Sequence, residues 1–135
     1  MTISDQRAPR FPVSVKGVVF IGSRVVLLKN ERDEWELPGG KLEAGEDPRD
    51  CLRREIQEEL SLEATVKSPL DSWLYNIQNK VEVLIVTYGC AAGRGRKIVL
   101  SPEHKEVRLF SLRELRSLRM PSGYLRSIRH WARVR

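Results

Sequence analysis

Three glutamates, Glu55, Glu58 and Glu59, stand in the run RREIQEEL at a spacing of i, i+3 and i+4. On a helix advancing about 100° per residue, Glu58 falls roughly 60° to one side of Glu55 and Glu59 roughly 40° to the other, so all three carboxylates share one face. Leu52, Ile56 and Leu60 form the apolar stripe of the same wheel. Glu59 borders that stripe, while Asp50, Arg53 and Gln57 take the solvent side, where a helix needing only solubility would carry its acids. Taken alone, glutamates so spaced most often make a solvated face. Yet Glu55 and Glu59 are like charges one turn apart, a repulsion of about 0.2–0.5 kcal/mol unless a cation compensates it. An all-oxygen shell of carboxylates, a backbone carbonyl and water suits Mg2+ or Mn2+, and no nearby histidine or second cysteine favours zinc.

The elements that must hold these acids are legible on either side. Asp47 as N-cap and Pro48 in the first turn predict a helix over residues 48–60. Ahead of it, LPGGKLEAGE is rich in turn formers. Without Cβ atoms, Gly39 and Gly40 let the backbone come close to a metal or a phosphate; a plain Pro-Gly-Gly turn is the alternative.

From Gly40 to Leu62 the chain reads GKLEAGEDPRDCLRREIQEELSL. This resembles the Nudix hydrolase signature, G-x5-E-x7-R-E-U-x-E-E-x-G-U with U a bulky aliphatic, at Gly40, Glu46, Arg54, Glu55, Ile56, Glu58, Glu59 and Leu62. Ser61 departs from it, standing where the pattern has glycine at the helix end. The resemblance implies an α/β (α+β) fold, an α/β/α sandwich with a mixed β-sheet, in one domain over residues 1–135. It also implies cleavage of nucleoside diphosphates linked to another moiety with Mg2+ or Mn2+. By matching position, Glu55, Glu58 and Glu59 become metal ligands and Gly39 lends its carbonyl. Arg54 orients the glutamates, and Glu46 anchors Arg54 from the loop. Glu55 is the first choice for the general base. Glu103, in SPEHKEV, resembles the additional acid that some members bring to the metals, with Glu106 as its competitor. Lys29, Arg32 and Lys41 flank the site and are candidates for substrate phosphates, although loop cations are usually solvated. Trp35, Tyr75 and Tyr124 are candidates to stack on a base, with a place in the core or its rim as the alternative.

The remaining chain fits one soluble domain. Its 135 residues, 41% hydrophobic and 31% charged, suffice for a single core, and no apolar run approaches the roughly 20 residues of a membrane span. The start, MTISDQRAPRF, has no export pattern, which leads to the expectation of a cytoplasmic protein. Cys51 and Cys90 are too few for a disulfide framework and are expected to be reduced packing residues. FPVSVKGVVFIGSRVVLLKN predicts two strands joined by a turn at Gly22 and Ser23, residues 63–75 and 81–90 predict two more, and KEVRLFS a short one. SLRELRSL and SGYLRSIRHWARV predict helices, the first presenting Leu112, Leu115 and Leu118, the second Leu125, Ile128 and Trp131.

A formal net charge of +6 does not choose among anionic partners. Three functions remain: hydrolysis of a small nucleotide, RNA 5′-pyrophosphohydrolysis with the arginine-rich C-terminal third holding the RNA, and non-catalytic nucleotide sensing. The retained glutamates favour the first over the last. The substrate is not readable, since Asn76, Ile77 and Gln78 stand where some relatives carry substrate-marking residues; a homodimer is left open.

Overall fold

The computed structural model describes residues 7–93, 97–99 and 106–135. Its centre is a mixed sheet of seven strands: β1 (Val13–Ile21), β2 (Arg24–Lys29), β3 (Trp35–Glu36), β4 (Gly39–Lys41), β5 (Ala64–Ile77), β6 (Val81–Ala92) and β7 (Glu106–Phe110). Helices α1 (Pro48–Leu60) and α2 (Ser122–Val134) flank the sheet. The main path runs β3-β2-β1-β6-β5, with β4 added to β1 and β7 to β2. β1 lies parallel to β6 and antiparallel to β2 and β4. No helix among the described residues is long and apolar enough to cross a membrane.

β1 is the hub. Residues 15–20 are all buried, and successive side chains leave the strand on opposite faces. Val15 and Val19 join Leu52, Ile56 and Leu60 of α1 in one apolar cluster; Val18 and Phe20 join Tyr124, Ile128 and Trp131 of α2 in the other. Each helix therefore packs its own core on one face of the same sheet. Buried polar contacts fix α2 on its side: the Thr87 and Ser127 hydroxyls lie 2.7 Å apart, and the Trp131 indole donates to the Cys90 carbonyl at 3.2 Å.

The expected helix at residues 48–60 forms as read, with Asp47 accepting from the backbone N–H groups of Arg49 and Asp50. Cys51 and Cys90 are buried free thiols, and burial pushes them up to about 11 and about 12. Two local differences from the sequence reading have physical causes. DEWELPGGKLEAGE, which reads as a loop by its proline and glycines, contains the strands β3 and β4, because β2 and β1 offer it ladder partners that no local pattern reveals. SLRELRSL forms only a short 3-10 helix, Leu112–Ser117: Ser111 and Glu114 make a capping box, but Leu118 turns extended, and Leu115 is the buried leucine while Leu112 is exposed.

Ser61 ends α1 in the left-handed region at φ 55°, ψ 32°, and its N–H reaches the Gln57 carbonyl. Serine thus occupies a conformation in which its Cβ is disfavoured and glycine is not. Ser61→Gly is expected to raise stability by about 1 kcal/mol or less, read from the urea midpoint at unchanged slope, because relief of that strain is partly offset by glycine's greater freedom in the unfolded chain.

Candidate active site

The acidic face of α1 lies over β4. Glu59, at the edge of the apolar stripe, is only 5% exposed, and one of its carboxylate oxygens accepts the Gly39 backbone N–H at 2.8 Å. Gly39 has φ +146°, and a Cβ there would come 2.9 Å from the Lys16 Cα and nearer still to the Val15 carbonyl. No side chain fits. At Gly40 an added Cβ would fall on the Glu55 carboxylate, 2.8 Å from its Oε1. The bare backbone therefore serves close approach between strand and helix: Gly39 donates to one glutamate and Gly40 leaves room for another. The donation by the Gly39 N–H was not foreseen from the sequence, which pointed to its carbonyl.

Arg54 ties the rest together. Its guanidinium contacts Glu46 at 3.0 Å, Glu55 at 3.1 Å and Glu58 at 3.3 Å. Hydrogen bonds to Glu46 and Glu58 raise its pKa further above the ordinary arginine value. Glu46 is held from two sides. Its carboxylate accepts the Glu43 backbone N–H at 2.9 Å, the leading cause of a lowered pKa, and the Arg54 contacts add to it. Glu46 thus joins the loop to Arg54, and Arg54 joins Glu46 to two of the three helix glutamates. Glu58 is exposed, Glu55 half-buried and Glu59 buried, a gradient that follows their wheel positions. Among the described residues no three acidic, histidine or cysteine side chains converge on one point that would hold a metal. Glu55 and Glu58 instead share the guanidinium, and Glu59 faces the Gly39 N–H. As a donor set, three carboxylates beside an unobstructed backbone suit a hard cation.

Two of the three flanking cations, Lys29 and Arg32, have carboxylate partners of their own. Lys29 lies 3.7 Å from Glu106 and over the Trp35 ring; Arg32 is 3.0 Å from Glu34 and 2.8 Å from Glu31. Lys41 is exposed on β4 and makes no ion pair among the described residues. Glu106 sits at the start of β7, against Lys29 and Arg108, and Glu103 lies outside the described residues. Of the three aromatic candidates, Trp35 is a core residue, edge-on to Phe110 with centroids 4.8 Å apart. Tyr124 is buried and edge-on to Trp73, while half-buried Tyr75 donates to Glu34 at 3.1 Å.

Sequence reasoning missed a charged pair beside this site. Lys16, on β1 in register with Gly39, is buried, with its ammonium 3.8 Å from Glu36. Glu36 also accepts from the Asn30 amide at 3.1 Å. The available signal was a lysine inside an otherwise apolar strand, VSVKGVVFI.

A mixed sheet between two helices, with an acidic helix face packed on a glycine strand, defines the class. The sequence profile of the NUDIX domain matches residues 10–131, and the chain belongs to that family. Among curated relatives, an 8-oxo-dGTP diphosphatase of Proteus vulgaris is 41% identical over 46 residues, 34% of this chain and 41% of that protein. An RNA pyrophosphohydrolase of Bradyrhizobium is 34% identical over 73 residues, 51% of this chain and 44% of that protein. The matched segments thus span less than half the length of either relative. A NUDIX family hydrolase structure from Clostridium perfringens superposes with a TM-score of 0.80 at 15% identity, covering 93% of this chain and 99% of the other, a likeness of fold.

The anchor at Glu46 carries a pH signature. A carboxylate whose folded pKa is lowered stabilises the fold above its unfolded value, and that contribution disappears as pH falls through the folded value. The stability lost on Glu46→Gln should therefore be present at pH 7, begin to shrink as pH falls below the ordinary value of 4.5 and level off only below the lowered folded value, measured as the difference in urea midpoint between wild type and variant across pH.

Proposed function

We propose that this protein is a divalent-metal-dependent pyrophosphohydrolase that cleaves the diphosphate linkage of a small nucleotide, a nucleoside diphosphate joined to another moiety. The observation that carries the reading is the acid cluster itself: Glu55 and Glu58 held by Arg54, Arg54 held by Glu46, and Glu59 clamped to the Gly39 N–H. Pairs that only stabilised a surface would contribute about 1 kcal/mol at most and would not need Glu59 buried against a strand that excludes side chains.

Glu55, Glu58, Glu59 and the Gly39 carbonyl would hold Mg2+ or Mn2+. When bound, the ion would supply neutralisation of the pyrophosphate oxygens and activation of the attacking water. Arg54 keeps the carboxylates from splaying under their mutual repulsion and fixes their orientation, as an outer partner of a metal site does. Glu55 takes the role of proton acceptor: it is half-buried, and its carboxylate lies against the bare backbone of Gly40. Glu103 is proposed as an additional acid from outside the helix. Lys41, with no carboxylate neighbour among the described residues, is the best placed of the three flanking cations to meet a substrate phosphate.

The test is a panel of nucleoside triphosphates, sugar nucleotides, dinucleotides and 5′-triphosphorylated RNA, assayed with Mg2+ and Mn2+ for release of phosphate or pyrophosphate. Cleavage confined to the RNA would move the assignment to RNA 5′-end processing, and no cleavage of any member would remove the enzymatic reading. On whichever nucleotide is cleaved, Glu59→Gln, which keeps the side chain's shape and an oxygen for the Gly39 N–H, should fold normally and lose roughly 100-fold or more in turnover at saturating Mg2+. Full turnover by the folded variant would remove Glu59 from the metal site.

A further inference from the structure

The inner face of α2 serves the core, while its outer face carries basic groups alone. Arg126, Arg129, His130 and Arg133 stand at i, i+3, i+4 and i+7, so all four share one side of the helix. The three arginines are exposed and the histidine is half-buried. Together with Asp71 of β5 they line a cavity of about 360 Å3. Among the described residues Asp71 is the one acid lining it, and Arg126 already holds it. The Arg126 guanidinium donates to Asp71 at 3.4 Å and lies over the Trp73 ring, 5.7 Å from its centroid. Arg129, His130 and Arg133 make no ion pair or side-chain hydrogen bond among the described residues.

Two ordinary explanations do not cover this arrangement. Cations at a helix C-terminus are favoured by the helix dipole, but that effect fades within the last turn, and Arg126 and Arg129 lie upstream of it. A face serving solubility alone would mix signs, because like charges three and four residues apart repel, as Arg126 and Arg129, then Arg129 and Arg133, do here. An anion in the cavity relieves that repulsion. The donors select its chemistry. Guanidinium groups present rigid forks that match phosphoryl oxygens two at a time. Arg126 and Arg133 stand about 10 Å apart along the helix axis, so three forks opening on one cavity suit several phosphoryl groups in a row better than one. The cavity's volume falls in the range of small-ligand pockets, which favours a compact anion over a membrane surface or a nucleic-acid strand.

We propose that the junction of α2 and β5 is a binding site for a small oligophosphate anion, a chain of linked phosphates such as tripolyphosphate or the tail of a nucleoside triphosphate. Arg126, steadied by Asp71 and Trp73, is the fixed member of the site; Arg129 and Arg133 close on the phosphoryl oxygens, and His130 adds an imidazole donor. The site lies on the α2 side of the sheet and the acid cluster on the α1 side, so it goes beyond the hydrolase reading and does not depend on it.

Calorimetric titration at fixed ionic strength, without divalent metal, compares tripolyphosphate with orthophosphate. Wild type should bind tripolyphosphate saturably and about 10-fold or more tightly than orthophosphate. Arg129→Gln and Arg133→Gln, both at exposed positions, should each weaken tripolyphosphate about 10-fold while the urea midpoint stays near that of wild type. Arg53→Gln removes the same charge from the α1 side and should leave the affinity unchanged. No saturable binding, equal affinity for the two phosphates, unchanged affinity in both α2 variants, or an equal loss in Arg53→Gln would each overturn the proposal. So would a 5′-hydroxyl RNA oligonucleotide that binds more tightly than tripolyphosphate and is released by the same α2 substitutions, since the face would then belong to a nucleic-acid backbone. Because no turnover is read, a failure of the hydrolase assignment remains separate from a failure of this one.

Discussion

A single backbone donor organises the site. The Gly39 N–H reaches the buried carboxylate of Glu59 across the seam between β4 and α1 at 2.8 Å, and this bond requires a helix carboxylate at the core edge and a strand without a Cβ. Other features follow from the closeness it imposes. Gly40 must also be bare, because the Glu55 carboxylate lies where its Cβ would be. With Glu59 drawn inward, Glu55 and Glu58 stay on the outer part of the face, within reach of one guanidinium. The loop between β4 and α1 then folds back so that Glu46 meets that same arginine.

Charge is distributed unevenly about β1, and the distribution has a logic. On the α1 side the acids outnumber the cation that holds them, Arg54 facing Glu46, Glu55 and Glu58. Such an excess is tolerable at a partly solvated surface and suits a site that is to receive further positive charge. On the α2 side buried Lys16 and partly buried Glu36 come as a pair of near-zero net charge.

How much of this was legible depended on the range of the interactions. Helix α1 was readable end to end because Asp47, Pro48 and the leucine stripe act within a few residues of one another. The wheel placed Glu59 at the core edge for the same reason. The strands within the glycine stretch were not readable, since β3 and β4 exist through ladders to β2 and β1. For Trp35 the sequence left base stacking and a core place both open, and Phe110, 75 positions along, decides for the core. Lys16 drew no reading from the sequence, because its partner Glu36 arrives from β3. In the 3-10 helix the capping box was a true local signal, but a cap starts a helix without determining its length.

The central claim is that the acidic face of α1 is a hard-metal site and not a salt-bridged surface. Titration of Mn2+ into the protein, followed by the electron paramagnetic resonance signal of the free ion, tests it without reference to any substrate. The account predicts saturable Mn2+ binding that Mg2+ competes away, weakened about 10- to 100-fold or more in Glu58→Gln and Glu55→Gln while both variants stay folded. Unchanged Mn2+ affinity in both variants, or no saturable binding by the wild-type protein, would contradict it.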